Sequence, residues 1–235
     1  MQRKQIMEAW RGPPQCRDCG IRELVLFADL QEADFSLIHL PIDEIRFEAG
    51  QALYHAGDTK PYVYTVREGV VKLVQYLPDG AHRIVRMQRQ GSVLGMEVLV
   101  GEAYAHTATA LQPVLTCRIP RAVIDRLSAE TPRLHAQLMK RWHQSLQQAD
   151  TWLTELSTGS ARLRLARLLL HMIAANSNDV CHLPIREDIG AMLAVTMETA
   201  SRTVAEFRRS GLIEDVGDHL VRCDRDALEA VILDG

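Results

Sequence analysis

The sequence predicts an α+β chain: a β-rich N-terminal half, then one long helix, then a compact α-rich unit that ends in a hairpin and a short helix. Three observations carry this. From about Asp43 to Pro120, short runs rich in β-branched and aromatic residues are separated by glycine-centred turn signals. From Thr131 to about Ser157 one apolar stripe recurs at helical spacing. After Gly159 the helical patterns are short and are followed by a strand–turn–strand pattern.

Within the β-rich half, 61–69 (PYVYTVREG), 70–77 (VVKLVQYL) and 82–88 (HRIVRMQ) read as strands. Turn signals stand at Gly50, Gly57-Asp58, Gly69, Pro78-Asp79-Gly80 and Gly91, a spacing that suits an antiparallel barrel or sandwich. Pro78 presets a turn dihedral and Gly80 tolerates positive φ, so this triplet joins two strands tightly. Past Pro120, Ala122–Leu127 reads as a short helix. Thr131-Pro132 then opens the long one, with proline where its missing N–H costs nothing.

The stripe of the long helix is Leu134, Leu138, Trp142, Leu146, Ala149, Leu153 and Leu156, stepping by four, four, four, three, four and three. That is close to a coiled-coil seam. A helix of that length outruns one small barrel, so a parallel homodimer seam is expected rather than packing wholly within one chain. Gly159 ends it. Residues 160–176 then form an amphipathic helix, REDIGAMLAV and TMETASRTVAEFRRSG two more, LIEDVGDHLVRCD a hairpin around Gly217-Asp218, and Asp224–Leu233 a last helix. Helix, turn, helix and hairpin in this order is the winged helix-turn-helix pattern.

Composition excludes several classes. The 235 residues are 47% hydrophobic and 24% charged, enough to bury a real core. No run approaches the roughly 18 apolar residues of a membrane span, and the start MQRKQIMEAW lacks an apolar signal region. A cytoplasmic protein without a membrane partner is expected. No nucleophile elbow, phosphate loop or paired-carboxylate motif argues for an enzyme. Net charge is −3, and the part from Gly159 onward has 9 Arg against 12 Asp and Glu. That balance runs against phosphate binding, so any such contact must come from local placement.

The third helical pattern supplies that placement. Thr196 is a good N-cap, with Thr199 in the first turn behind it. Ala200, Val204 and Phe207 face inward, whereas Glu198, Ser201 and Arg202 share one outward stripe at i, i+3 and i+4. Glutamate accepts from cytosine N4 and arginine forks onto guanine O6 and N7, a pairing suited to adjacent base pairs of duplex DNA. Arg186, Arg208 and Arg209 stand where they can hold phosphates. A plain surface Glu–Arg pair has the same spacing; the winged pattern around it favours base reading.

The segment E-T-x-S-R within LAVTMETASRTVAEFRRSGLI closely resembles the recognition helix of the CRP/FNR regulators, in the FNR branch. The N-terminal half shows a similar glycine frame in Gly50, Leu53, Gly57-Asp58, Tyr64, Val66, Gly69, Val71, Gly91 and Gly95. The resemblance implies an N-terminal segment with a CxxC over 1–30, a cyclic-nucleotide-type β-roll over 31–130, a dimerisation helix over 131–158 and a winged helix-turn-helix over 159–235. It implies a transcription regulator that binds a TTGAT-like inverted repeat as a dimer, its two helices about one turn apart on the DNA. RNA polymerase would be a partner if the protein activates.

The same resemblance frames the sensor. Cyclic-AMP binders of the family use a glutamate followed by an arginine–serine pair; here Glu97 matches the first, while Tyr104 falls where the arginine would stand. Loss of the guanidinium removes the strongest contact to a cyclic phosphate, so cyclic AMP is disfavoured. Cys16 and Cys19 match two N-terminal ligands of the family's iron–sulfur cluster and Cys117, in TCRIP, the distal one. The fourth falls on Val25. Clusters of this kind want four thiolates, so Asp18, Glu23, Asp29, a histidine or an exogenous group would complete the set. A thiol or zinc switch, haem with His135, Met139 or His143 as axial groups, another small effector, and no cofactor at all stay open beside it. Cys181 and Cys223 read as structural.

Overall fold

The computed structural model describes residues 26–31, 33–174 and 178–234. These form two compact units: one comprises the described residues up to Gln75 together with Arg86–Leu146, the other Tyr76–Val85 with Gln147 onward.

The first unit is a two-sheet roll. Its strands are β1 (Asp43–Phe47), β2 (Ala52–Tyr54), β3 (Tyr62–Glu68), β4 (Val71–Tyr76), β5 (His82–Gln88), β6 (Val93–Leu94), β7 (Thr107–Ala110) and β8 (Val114–Pro120). One sheet has the order β1-β8-β3-β6 and the other β2-β7-β4-β5. In β3 the residues Val63 to Val66 are all buried, because the strand is central in its sheet and covered on both faces. The turn at Pro78–Gly80 forms as its chemistry requires: Leu77 N–H donates to Ala81 O at 2.8 Å and Ala81 N–H to Asp79 Oδ1 at 2.9 Å. Sequence patterning missed the 3-10 turn Asp34–Leu37 and the 3-10 segment Met96–Val100, both too short to show a period.

Helix α1 spans Arg121–Glu130, four residues longer than the apolar spacing suggested, and α2 spans Pro132–Glu155. The structure corrects the reading of the α2 stripe. Leu134 and Leu156 are 0% exposed and Leu138 only 8%, so these three are consumed inside their own chain. Trp142, Leu146 and Leu153 are exposed, and Met139, absent from the expected stripe, joins them. Positions 139, 142, 146 and 153 step by three, four and seven, a regular heptad line. His135 and His143 are exposed as well.

The start of α2 is tied to the 3-10 turn by Arg133, whose Nη2 donates to Asp34 Oδ1 and Oδ2 at 2.9 and 2.7 Å. Asp34 is 7% exposed, and the Arg133 hydrogen bond holds its carboxyl below the usual carboxylate range. Gln137 Nε2 donates to Asp29 in the same way.

The second unit holds α3 (Ala161–Ile173), β9 (Val180–His182), α4 (Arg186–Leu193), α5 (Met197–Arg209), β10 (Ile213–Gly217), β11 (Leu220–Cys223) and α6 (Arg225–Leu233). Ser160 caps α3 through Leu163 N at 3.2 Å. Arg167 Nη1 donates to the carbonyls of Glu155 and Thr158 at 3.0 and 3.2 Å, closing the orphan acceptors where α2 ends. Trp152 Nε1 donates to Ile84 O at 3.1 Å, which fixes the β4–β5 hairpin tip to the last turns of α2. The sheet order is β10-β11-β9. The three-residue β9 escaped sequence reading because VCH is too short to display alternation.

Two tests follow from this packing. Asp34→Asn removes a charged hydrogen bond and is expected to cost about 1–2 kcal/mol in urea unfolding at pH 7. The depressed Asp34 pKa makes this contribution full above about pH 4 and lost as pH falls through the folded value, so wild type and variant should converge in acid. A gap independent of pH would contradict the ion pair. In α4, a Cβ on Gly190 would lie 2.8 Å from Val195 O. Gly190→Ala should therefore lower stability by about 1–2 kcal/mol in thermal unfolding, overpacking outweighing the roughly 1 kcal/mol helix-propensity gain.

Candidate nucleic-acid interface

Helices α4 and α5 meet through a turn made possible by two backbone features. Ala194 adopts the left-handed conformation at φ 55°, and Val195 N–H donates to Gly190 O at 3.1 Å. Thr196 then caps α5: its Oγ1 accepts from Thr199 N–H at 3.2 Å, and it donates to Thr199 Oγ1 at 3.0 Å. One turn on, Thr203 Oγ1 donates back to Thr199 O at 2.8 Å. The inner face of α5 is closed by Ala200, Val204 and Phe207, each at most 1% exposed.

That burial turns the opposite face outward. Glu198, Ser201 and Arg202 are all exposed. The Glu198 and Arg202 side chains are 87% and 69% exposed and their charged atoms 4.0 Å apart, at the outer limit of an ion pair. A contact that long in water contributes almost nothing, so both groups are available to another partner. Met197, next to Glu198 in the chain, is 61% exposed, and Ile185 at the start of α4 is 57% exposed; sequence reading singled out neither.

The arginines expected to hold phosphates differ in their surroundings. Arg209 is exposed. Arg208 Nη2 lies 2.7 Å from Asp215 Oδ1 on β10, so it braces the hairpin against α5. Arg186 is partly buried beside them, and burial, with the nearby Arg208 charge second, pushes its pKa down. Arg162 pairs with Glu206 at 3.0 Å and Arg222 with Glu214 at 3.4 Å. Arg164 Nη1 donates to Leu193 O at the end of α4. At the base of the sheet Arg225 Nε donates to Asp179 Oδ1 at 3.1 Å, and Asp224 caps α6 through Ala227 N at 3.0 Å. Sequence patterning could not foresee the Asp179–Arg225 clip, since the two lie 46 residues apart.

On the sensory side, Cys16, Cys19 and Val25, with Asp18 and Glu23, lie outside the described residues. Cys117 is a half-buried cysteine in no disulfide, on β8 between Glu44 of β1 and Thr65 of β3. Cys181 and Cys223 are buried cysteines in no disulfide. The hydrogen bond from Cys181 and the burial of Cys223 push the Cys223 thiol far up, so it stays protonated and unreactive at neutral pH.

Tyr104 is 2% exposed, stacks on Tyr54 with ring centroids 3.9 Å apart, and donates from Oη to Tyr62 O at 2.8 Å. Burial raises its pKa, so the phenol remains neutral. Gly95 makes room for the ring, since a Cβ there would lie 2.6 Å from Tyr104 Cε1. Tyr104 is thus a neutral, fully packed aromatic.

Two family models match the chain. Residues 44–131 match the cyclic nucleotide-binding domain and residues 163–231 the Crp-like helix-turn-helix domain. The chain is 27% identical over 212 residues to the fumarate and nitrate reduction regulatory protein of Vibrio cholerae, spanning 87% of this chain and 85% of that one. It resembles the crystal structure of TTHB099, a transcriptional regulator of the CRP family from Thermus thermophilus, with a TM-score of 0.70 and 26% identity over 80% of this chain and 96% of that one. FixK2 from Bradyrhizobium japonicum shares the fold with a TM-score of 0.73 at 24% identity, covering 82% and 98% of the two chains. The chain belongs to the CRP/FNR family of transcription regulators, DNA-binding proteins and not enzymes.

Proposed function

We propose that this regulator is a cytoplasmic homodimer that reads a TTGAT-like inverted repeat and responds to a redox or oxygen/NO signal. The observation that carries the DNA reading is the outward, weakly paired Glu198–Arg202 stripe on a helix whose opposite face is sealed. Arg202 forks onto guanine and Glu198 accepts from the cytosine of an adjacent pair, with Ser201 between them. Arg186, Arg208 and Arg209, with the Thr196–Thr199 cap, set the helix against phosphates; Arg208 reaches them by exchanging its Asp215 partner.

The dimer reading rests on Met139, Trp142, Leu146 and Leu153, four large apolar side chains in heptad register left in water by their own chain. Two copies joined there would present two α5 helices to successive major grooves. In activation, RNA polymerase is the further partner.

The signal reading rests on Cys16, Cys19 and Cys117 as cluster ligands. Cys117 is compatible with that role, being outside any disulfide and partly exposed. Asp29 does not suit the fourth position, because its carboxylate is already engaged by Gln137. When bound, such a cluster would supply oxygen-sensitive iron–sulfide chemistry, with Cys16, Cys19 and Cys117 as the residues that would hold it.

Three results test these readings. In a band-shift with a TTGAT palindrome, Arg202→Ala should weaken binding about 10- to 100-fold with its melting curve unchanged. Wild type that ignores the palindrome, with or without iron and reductant, would sink the DNA assignment. Sedimentation of Leu146→Asp should show monomers where the wild type is dimeric; an unchanged dimer would place the interface elsewhere. Anaerobically purified protein should show broad sulfur-to-iron charge-transfer absorption that Cys117→Ser abolishes, whereas a sharp Soret band or a featureless spectrum would reject the cluster.

A further inference from the structure

The hairpin after α5 turns through Asp218 and His219, with Gly217 paired to Leu220 across the loop. Both turn residues lie in the left-handed region, at φ 38° and 61°. A two-residue turn of this hand suits Asn-Gly, and histidine is uncommon there. Neither the α5 stripe nor the cysteines make use of it.

This histidine faces a second one. Leu183 N–H donates to His219 O at 2.8 Å, so His219 stands opposite Leu183, whereas His182 on β9 stands opposite Leu220. Regular strand alternation would send the two imidazoles to opposite faces of the sheet. The left-handed turn takes His219 out of that alternation, and the rings come to 5.9 Å between centroids, tilted by 48°. Two imidazoles that share one metal ion, through metal–nitrogen bonds of about 2.0–2.1 Å, have centroids about 4.5–6.5 Å apart. The observed spacing falls inside that range.

The chemistry of the pair agrees with its geometry. His182 Nδ1 is buried and has no hydrogen-bond partner. Burial first, then the neighbouring His219, lowers the His182 pKa, so the ring is neutral at pH 7, the form that coordinates a metal. His219 is exposed, which gives an ion a way in. Among the described residues no cluster of three or more histidine, cysteine or carboxylate side chains is suited to a metal, so the protein supplies two nitrogens and water fills the other positions. Imidazole suits zinc, copper and nickel, whereas magnesium and calcium want oxygen ligands. No acceptor orients the His182 ring through Nδ1, which lowers affinity about 10- to 100-fold against a buttressed site.

We propose that His182 and His219 form an open two-histidine site for a divalent late-transition-metal ion at the tip of the β10–β11 hairpin. A bound ion ties the hairpin turn to β9 through side chains, in addition to the backbone hydrogen bond from Leu183 to His219. The site is independent of the cluster reading and of what α5 touches.

Calorimetric titration of the full chain with Zn²⁺ tests the site, in a Cys16→Ser/Cys19→Ser background that removes the N-terminal dithiol as a competitor. One Zn²⁺ per chain should bind in the micromolar range, and Mg²⁺ should give no binding. His219→Asn keeps a residue that accepts the left-handed turn, and it should weaken Zn²⁺ about tenfold or more, as should His182→Gln. Imidazole proton resonances of both histidines should move together as Zn²⁺ is added, a measurement that stands even if the His182 variant fails to fold. No binding of Zn²⁺, binding that survives His219→Asn, an equal response to Mg²⁺, or shifts confined to other histidines would each overturn the proposal.

Discussion

The outward face of α5, proposed to read DNA, exists because water is shut out from beneath it. Phe207 and Val204 are completely buried on the inner face of α5, and Leu165, Leu168, Ile189 and Leu193 are closed off with them in the same unit. Burying side chains of this size contributes about 1.5–3 kcal/mol each, far more than any polar contact on the outer face. A helix so anchored cannot rotate about its axis without exposing Phe207. The direction in which Glu198, Ser201 and Arg202 point is thus set by apolar packing, while their chemistry is left free for a partner. The Thr196 cap and the close approach of Gly190 to Val195 then fix the angle at which α4 delivers the chain into α5.

The electrostatics of this unit explain how an acidic sequence fits a DNA-binding role. Its arginines are largely engaged: Arg162 with Glu206, Arg208 with Asp215, Arg222 with Glu214 and Arg225 with Asp179. These pairs brace the hairpin and the helices rather than creating a broad positive field. The weak 4.0 Å approach of Glu198 to Arg202 stands out against these tighter pairs.

In the roll, Tyr104 is stacked on Tyr54 and bonded to Tyr62 O. Asp29 and Asp34 are both engaged by α2, through Gln137 and Arg133. The segment that carries Asp29 and Asp34 is thereby attached to the start of the long helix.

Much of this was legible in the sequence because it is written in local terms. The 61–69, 70–77 and 82–88 runs became β3, β4 and β5, since alternation and turn chemistry act over a few residues. The cap at Thr196, the helix behind it and the hairpin around Gly217 followed for the same reason, as did the outward position of Glu198, Ser201 and Arg202. The tertiary structure alone decided which stripe residues of α2 stay in water, because Leu134, Leu138 and Leu156 are indistinguishable from Leu146 and Leu153 until their neighbours are placed. It alone decided that Arg208 braces Asp215, and that His219 stands beside His182. Periodicity determines which face a residue occupies; what meets that face depends on segments tens of residues away.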